Sequence, residues 1–121
     1  MIKKSYWSKI KRLRNKADRL FQQVCVSLTP KCESCGKKAE VTHHFIPKSL
    51  SSNLRYNIDN GISLCNSCHF KHHSTGDPFI YEAMTRNKPA EWFNLIKKER
   101  RKTIKLSAKW YQDNINKLTK L

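Results

Sequence analysis

Two Cys-x-x-Cys pairs, Cys32 with Cys35 and Cys65 with Cys68, constrain this chain more than any other feature. Four soft thiolates are the number a tetrahedral structural zinc takes. The segment they bracket is too short to bury a self-sufficient core, so a metal clip there does what packing cannot. All five histidines, His43, His44, His69, His72 and His73, fall inside or just beyond the same segment. One zinc using three cysteines and a histidine would absorb a single imidazole and leave His43 and His44 unexplained. The histidines therefore point to a second cation site beside the four thiols.

The flanks read as helices. Trp7, Ile10, Leu13, Ala17, Leu20, Phe21, Val24 and Leu28 keep a 3.6-residue period over residues 3–28, with Lys and Arg on the other face. Thr29-Pro30 ends that helix, because proline disfavours helical backbone at the residue before it. Cys25 falls on its apolar stripe and is expected as a buried thiol. Cys32 to Gly36 reads as a zinc knuckle, Ala39 to Thr42 as a short strand leading into the two histidines, and Pro47 to Asn60 as a loop. Gly61-Ile62-Ser63-Leu64 is a second strand, pairing with the first as a hairpin. Asn66 or Ser67 would cap a helix carrying His69, Lys71, His72 and His73, broken by Gly76-Asp77-Pro78.

Phe79 to Arg86 is a short helix, and Pro89 suits the first turn of the next. From Trp92 and Phe93 through Ile96, Thr103, Ile104, Ser107, Trp110, Tyr111, Ile115 and Leu118, one face sustained over about 30 residues predicts a single long helix. It would pack along the N-terminal helix or project outward. The three tryptophans are expected as core between helices. The expected architecture is α+β, one domain over residues 1–121. It comprises an N-terminal helix (1–29), a zinc-stapled ββα core (30–76) and the C-terminal helices (77–121).

The formal charge of +16 sits in the flanks. Residues 1–28 hold eight Lys/Arg against one Asp, and residues 79–121 hold eleven against four acids. Such imbalance favours a polyanion, with counterion release from phosphates as the driving force. No apolar run approaches a membrane span, so no membrane partner is expected. Residues 1–7 lack the apolar stretch and small-residue cleavage site of a leader, which implies a reducing cytoplasm where paired cysteines mean metal. Lys48, Arg55, Lys71, Arg100 and Arg101 are candidate phosphate contacts.

The order Cys-x-x-Cys, strand, His43-His44, loop, Asn60, strand, Cys-x-x-Cys-His69, helix resembles the HNH endonucleases, a ββα-metal nuclease family. The resemblance covers residues 32–73 and implies a metal-dependent DNA endonuclease. By that resemblance His44 takes the general-base position and His43 the place where many members carry a metal-binding Asp. His69 matches the metal-binding histidine at the helix start. His73 lies four residues on, on the same helical face, with His72 as its alternative. Asn60 matches the family asparagine and would hold the loop through main-chain hydrogen bonds, with Asn57 as its substitute. The products implied are 5′-phosphate and 3′-hydroxyl ends. A looser likeness joins His44-Phe45-Ile46-Pro47-Lys48-Ser49, Asn53-Leu54-Arg55-Tyr56-Asn57 and Asp59-Asn60 to bacteriophage recombination endonucleases of the NinG type. It suggests a phage or mobile-element origin, and host cytoplasm as the location.

Structural Zn²⁺ and a divalent catalytic cation are the implied cofactors. Three imidazoles suit Zn²⁺, Mn²⁺, Ni²⁺ or Co²⁺ better than the hard Mg²⁺, although water and phosphate oxygens could still let Mg²⁺ act. A catalytically idle zinc-ribbon protein on nucleic acid is the alternative from another class, and a nuclease of branched recombination DNA is the other. A homodimer and packaging or recombination partners are left open by the sequence.

Overall fold

A computed structural model describes residues 3–121. Met1 and Ile2, the start of the stretch read above for a leader, lie outside the described residues. The element order is α1 (Lys3–Leu28), β1 (Val41–His44), a single 3₁₀ turn (Ile58–Asn60), β2 (Gly61–Leu64), α2 (Asn66–Thr75), α3 (Pro78–Thr85), α4 (Ala90–Arg100) and α5 (Ala108–Thr119). It is a small α+β fold whose sheet is one antiparallel hairpin, with Val41 opposite Leu64 and His44 opposite Gly61.

The hairpin lies between α1 and α2, and strand alternation assigns one face to each. On the α1 side, Thr42 Oγ1 donates to the Gln22 carbonyl (3.1 Å) and Ser63 Oγ to the Cys25 carbonyl (3.2 Å). On the other side Val41, Ile62 and Leu64 pack with Leu54, Ile80, Met84, Trp92 and Ile96 around the cysteines. A second cluster joins Ile10, Ala17, Phe21 and Cys25 of α1 to Tyr56 and to Tyr111, Ile115 and Leu118 of α5.

The two clusters explain the main departure from the sequence expectation. Instead of one long C-terminal helix, the chain forms α4 and α5, separated by residues 101–107. Trp92 and Ile96 belong to the first cluster, while Tyr111, Ile115 and Leu118 belong to the second. A straight helix of 30 residues would extend about 45 Å and could not turn one face into both. The break falls at Arg101-Lys102, where a continued helix would set Lys97 against Arg101 and Lys98 against Lys102, like charges four residues apart. Ser107 then caps α5, its side chain accepting from the Trp110 N–H (3.1 Å).

Other boundaries move less. β1 begins at Val41, two residues later than Ala39, because Ala39 donates its N–H to the Pro30 carbonyl (2.9 Å) and closes the knuckle instead. Both histidines therefore lie within the strand. The cap of α2 is Cys65 rather than Asn66 or Ser67, with its Sγ accepting from the Cys68 N–H. Pro89 occupies the cap of α4. Trp92 is buried and Trp110 half-buried, but Trp7 is 62% exposed and paired edge-on with Tyr6, so it is not core. Leu28 is exposed at the end of α1.

Gly61 sits where α1 packs tightly on the hairpin. Its φ of −91° makes no demand for glycine, but a Cβ there would stand 2.7 Å from Cys25 Sγ, 3.1 Å from Thr42 Cγ2 and 3.2 Å from Phe21 Cζ. Gly61→Ala should cost about 1–3 kcal/mol through overpacking. In a Cys25→Ala background, urea denaturation should show a smaller penalty for the same change. Equal penalties in both backgrounds would mean that the Cys25 sulfur is not the obstacle.

Candidate metal centres and the cleft beside the histidines

Cys32, Cys35, Cys65 and Cys68 bring their sulfurs within 4.8 Å of one another. A zinc–sulfur bond of about 2.3 Å places tetrahedral sulfurs about 3.8 Å apart, and Cys35 and Cys65 Sγ are separated by 3.7 Å. Each pair is shaped by its own main chain. The Cys35 N–H points at Cys32 Sγ and the Cys68 N–H at Cys65 Sγ, both at 3.4 Å. Gly36, at a φ of 80°, turns the first knuckle, and its N–H bonds the Cys32 carbonyl (2.9 Å).

Cys32 and Cys68 are not equally ready to ionise. Burial and the neighbouring sulfurs push Cys68 up to about 12. Burial also acts against the Cys32 thiolate, but the N–H groups of Cys35, Cys65 and Ser34 outweigh it and bring that thiol down to about 7. A doubly charged soft cation overrides this difference by holding all four as thiolates, so the donor set fits zinc.

The second group is built from β1 and α2. His43, His69 and His73 bring ring nitrogens within 4.8 Å of one another, and His69 Nε2 lies 3.0 Å from His73 Nε2. The i, i+4 spacing on α2 places His69 and His73 on one side, facing His43 across the hairpin. Burial, then the surrounding imidazoles, push His43 down to about 3. Burial likewise lowers His69 and His72. Neutral imidazoles are the form that binds a cation, so this donor set fits a borderline metal. His72 packs against the His43 ring (4.9 Å between centroids) but lies outside the converging three, and its buried Nδ1 has no hydrogen-bond partner among the described residues.

His44 points to the opposite face of β1. Its ring stacks on Phe21 of α1 (5.0 Å), and its Nε2 donates to the Arg55 carbonyl (2.9 Å). A carbonyl only accepts, so the proton sits on Nε2 and the lone pair is left on Nδ1. Burial lowers the proton affinity of His44, and Lys48 and the Arg55 guanidinium add to that, against the hydrogen bond to the Arg55 carbonyl. A hairpin of two strands leaves the outer edge of β1 unpaired, so side chains from both of its faces flank that edge. A cavity of about 350 Å³ runs there, lined by His43, His44, His69 and His73 with Pro47, Lys48 and, from α1, Asp18, Phe21 and Gln22.

Asn60 is fully buried. Its Oδ1 accepts from the Ile46 N–H (2.8 Å), and its Nδ2 donates to the Ile46 and Leu54 carbonyls (3.1 and 3.2 Å). It thus ties down the loop on the C-terminal side of His44. Asn57 has a local task, capping the 3₁₀ turn through the Asp59 N–H.

The predicted phosphate contacts divide. Lys48 lies at the cavity, and Lys71, Arg100 and Arg101 are exposed on α2 and at the end of α4. Arg55 differs from the free cation expected. Its guanidinium is committed to Asp18 by two hydrogen bonds of 3.0 and 2.8 Å. The contribution of α1 was missed in the sequence. The one signal for it was Asp18, the sole acid among eight cations in residues 1–28.

Replacing Cys68 with Ser should remove zinc and unfold the hairpin, since a structural site contributes its binding free energy to folding. Metal content per chain and thermal melting check this. Retention of one zinc per chain with an unchanged melt would show that the four thiols are not one site.

No curated protein and no solved structure matches the chain. A family model described as HNH endonuclease matches residues 32–75, just over a third of the 121 residues. Among the described residues, no helix is long and apolar enough to cross a membrane. That match runs from the first knuckle to the end of α2, so between α1 and the C-terminal helices, which it does not reach, the chain is similar to the HNH endonucleases.

Proposed function

We propose that the protein is a metal-dependent DNA endonuclease whose reaction takes place in the cavity along the free edge of β1. The carrying observation is that three converging imidazoles and His44 line one cavity although they come from different faces and elements. His44 Nδ1, left basic by the bond from Nε2 to the Arg55 carbonyl, takes the proton of the attacking water. Burial keeps that imidazole neutral near pH 7, the state in which it can accept a proton. His43, His69 and His73 would hold a divalent cation, which supplies Lewis-acid stabilisation of the charge developing on the phosphate and on the departing 3′ oxygen. Asn60 fixes the main chain after His44, so the base does not drift from its water. Lys48 stands at the cavity to meet a phosphate.

Binding comes from the flanks. Lys4, Lys9, Lys11, Arg12, Lys16 and Arg19 of α1 and Lys97, Lys98, Arg100 and Arg101 at α4 are exposed. Phosphate contacts of this kind position a duplex without reading its bases.

The protein, with zinc at its four cysteines, is offered single divalent cations and supercoiled plasmid. Cleavage is expected with Zn²⁺, Mn²⁺, Ni²⁺ or Co²⁺. His44→Ala should lower the rate by about 10²–10⁴-fold while leaving plasmid binding intact. Binding without cleavage under every cation would replace this reading with that of a basic zinc adaptor. Activity with Mg²⁺ alone would remove the three-imidazole site from it.

A further inference from the structure

The proposed base is held from outside the segment that the family model matches. We propose that Asp18 of α1, acting through Arg55, is a positioning residue that holds His44 as one tautomer. The mechanical chain is short. The Asp18 carboxylate grips the Arg55 guanidinium in a fork, Nε to Oδ1 at 3.0 Å and Nη2 to Oδ2 at 2.8 Å. Tyr56 closes the grip, its hydroxyl donating to Asp18 Oδ1 at 2.7 Å. Two consecutive side chains of the loop are thereby anchored to one carboxylate, which leaves the peptide they share little freedom. The carbonyl of that peptide, Arg55 O, receives the Nε2 proton of His44 at 2.9 Å.

The partly buried setting gives the fork its strength. Side-chain exposures of 19% for Arg55 and 34% for Asp18 make this a partly buried pair, with Asp18 at the cavity wall, and water competes for it less than on an open surface. Burial alone would raise Asp18, yet the hydrogen bonds from Arg55 and Tyr56 hold it below the usual carboxylate range. The same helix contributes the ring of Phe21, stacked on His44, one turn along from Asp18. The imidazole is thus held in plane by Phe21 and in rotation by the Arg55 carbonyl. An acid placed among eight cations gains a reason, since its partner is the loop rather than the helix surface.

The catalytic half of this inference rests on the nuclease reading; the tautomer half does not. Long-range ¹H–¹⁵N spectra of the zinc-loaded protein, with His44 assigned by its loss in His44→Gln, should show the Nε2–H form alone. In Asp18→Ala the His44 signals should become those of a tautomer mixture, and Asp18→Glu should restore much of the single form. Cleavage by Asp18→Ala should fall about 10–100-fold in kcat with little change in KM. The same substitution in a His44→Ala background should cost nothing further. Asp18→Asn and Tyr56→Phe are milder variants that serve if Asp18→Ala loses its zinc.

An unchanged Nε2–H tautomer in these variants overturns the proposal. So does a kcat loss that persists undiminished without His44, because Asp18 would then act elsewhere. Wild-type protein that cleaves nothing, with the tautomer change still appearing in Asp18→Ala, sinks the nuclease reading and leaves the positioning unit standing.

Discussion

The convergence of four thiols depends on a physical shortage. Two strands of four residues cannot hold a hairpin by ladder bonds alone, and a ten-residue α2 is below the length at which an isolated helix persists. A cation on Cys32, Cys35, Cys65 and Cys68 would fasten the knuckle before β1 to the residues that start α2. Cys65 combines two tasks, because the sulfur that joins the cluster also caps the helix. His69 follows Cys68 directly, so whatever fixes the thiols fixes the imidazoles of α2 relative to His43. Structural and second-site donors are therefore mechanically linked across a single peptide bond.

An unpaired strand edge is normally a liability, since it invites other chains. Here the edge of β1 is walled by α1 on one face and α2 on the other, and the walls make it a cleft. This resolves the geometric difficulty posed by adjacent histidines. Side chains at successive strand positions point to opposite faces, so His43 and His44 cannot both look into a pocket above the sheet. They can both reach a cavity that lies beside the sheet. Asn60, fully buried, and the Arg55 carbonyl then hold the loop that closes the far end.

What was legible in the sequence is what chemistry or periodicity fixes locally. Metal spacing exposed the four cysteines, the 3.6-residue stripe exposed α1 with its end at Leu28, and Gly61 to Leu64 read as a strand with the right bounds. The separation of α4 from α5 was not legible, because apolar residues continue at helical spacing across the break. Only the existence of two cores, one claiming Trp92 and Ile96 and the other Tyr111 and Ile115, shows why the helix must stop. The start of β1 was missed for a similar reason, since Ala39 is claimed by the knuckle through Pro30. The fork between Asp18 and Arg55 spans 37 residues of sequence, and no local pattern announces a partner so distant.

The scarcity of acids follows from where they are used. Asp18 ties α1 to Arg55, and Glu33 takes Lys88 at 3.0 Å and the Ser63 N–H at 2.7 Å. Glu40 holds Asn66 at the start of α2, and Glu99 joins Asn53 to Lys102. Four of nine carboxylates thus serve as ties between separate parts of the fold and offset little of the outward charge of the helices. A positive field of this kind has a consequence inside the cleft as well. In the proposed reading it draws in the phosphate backbone, and the cations Lys48 and Arg55, added to burial, also lower the proton affinity of His44. Burial first, and the Lys48 charge beside it, favour the unprotonated imidazole, which is the state in which it can accept a proton from water.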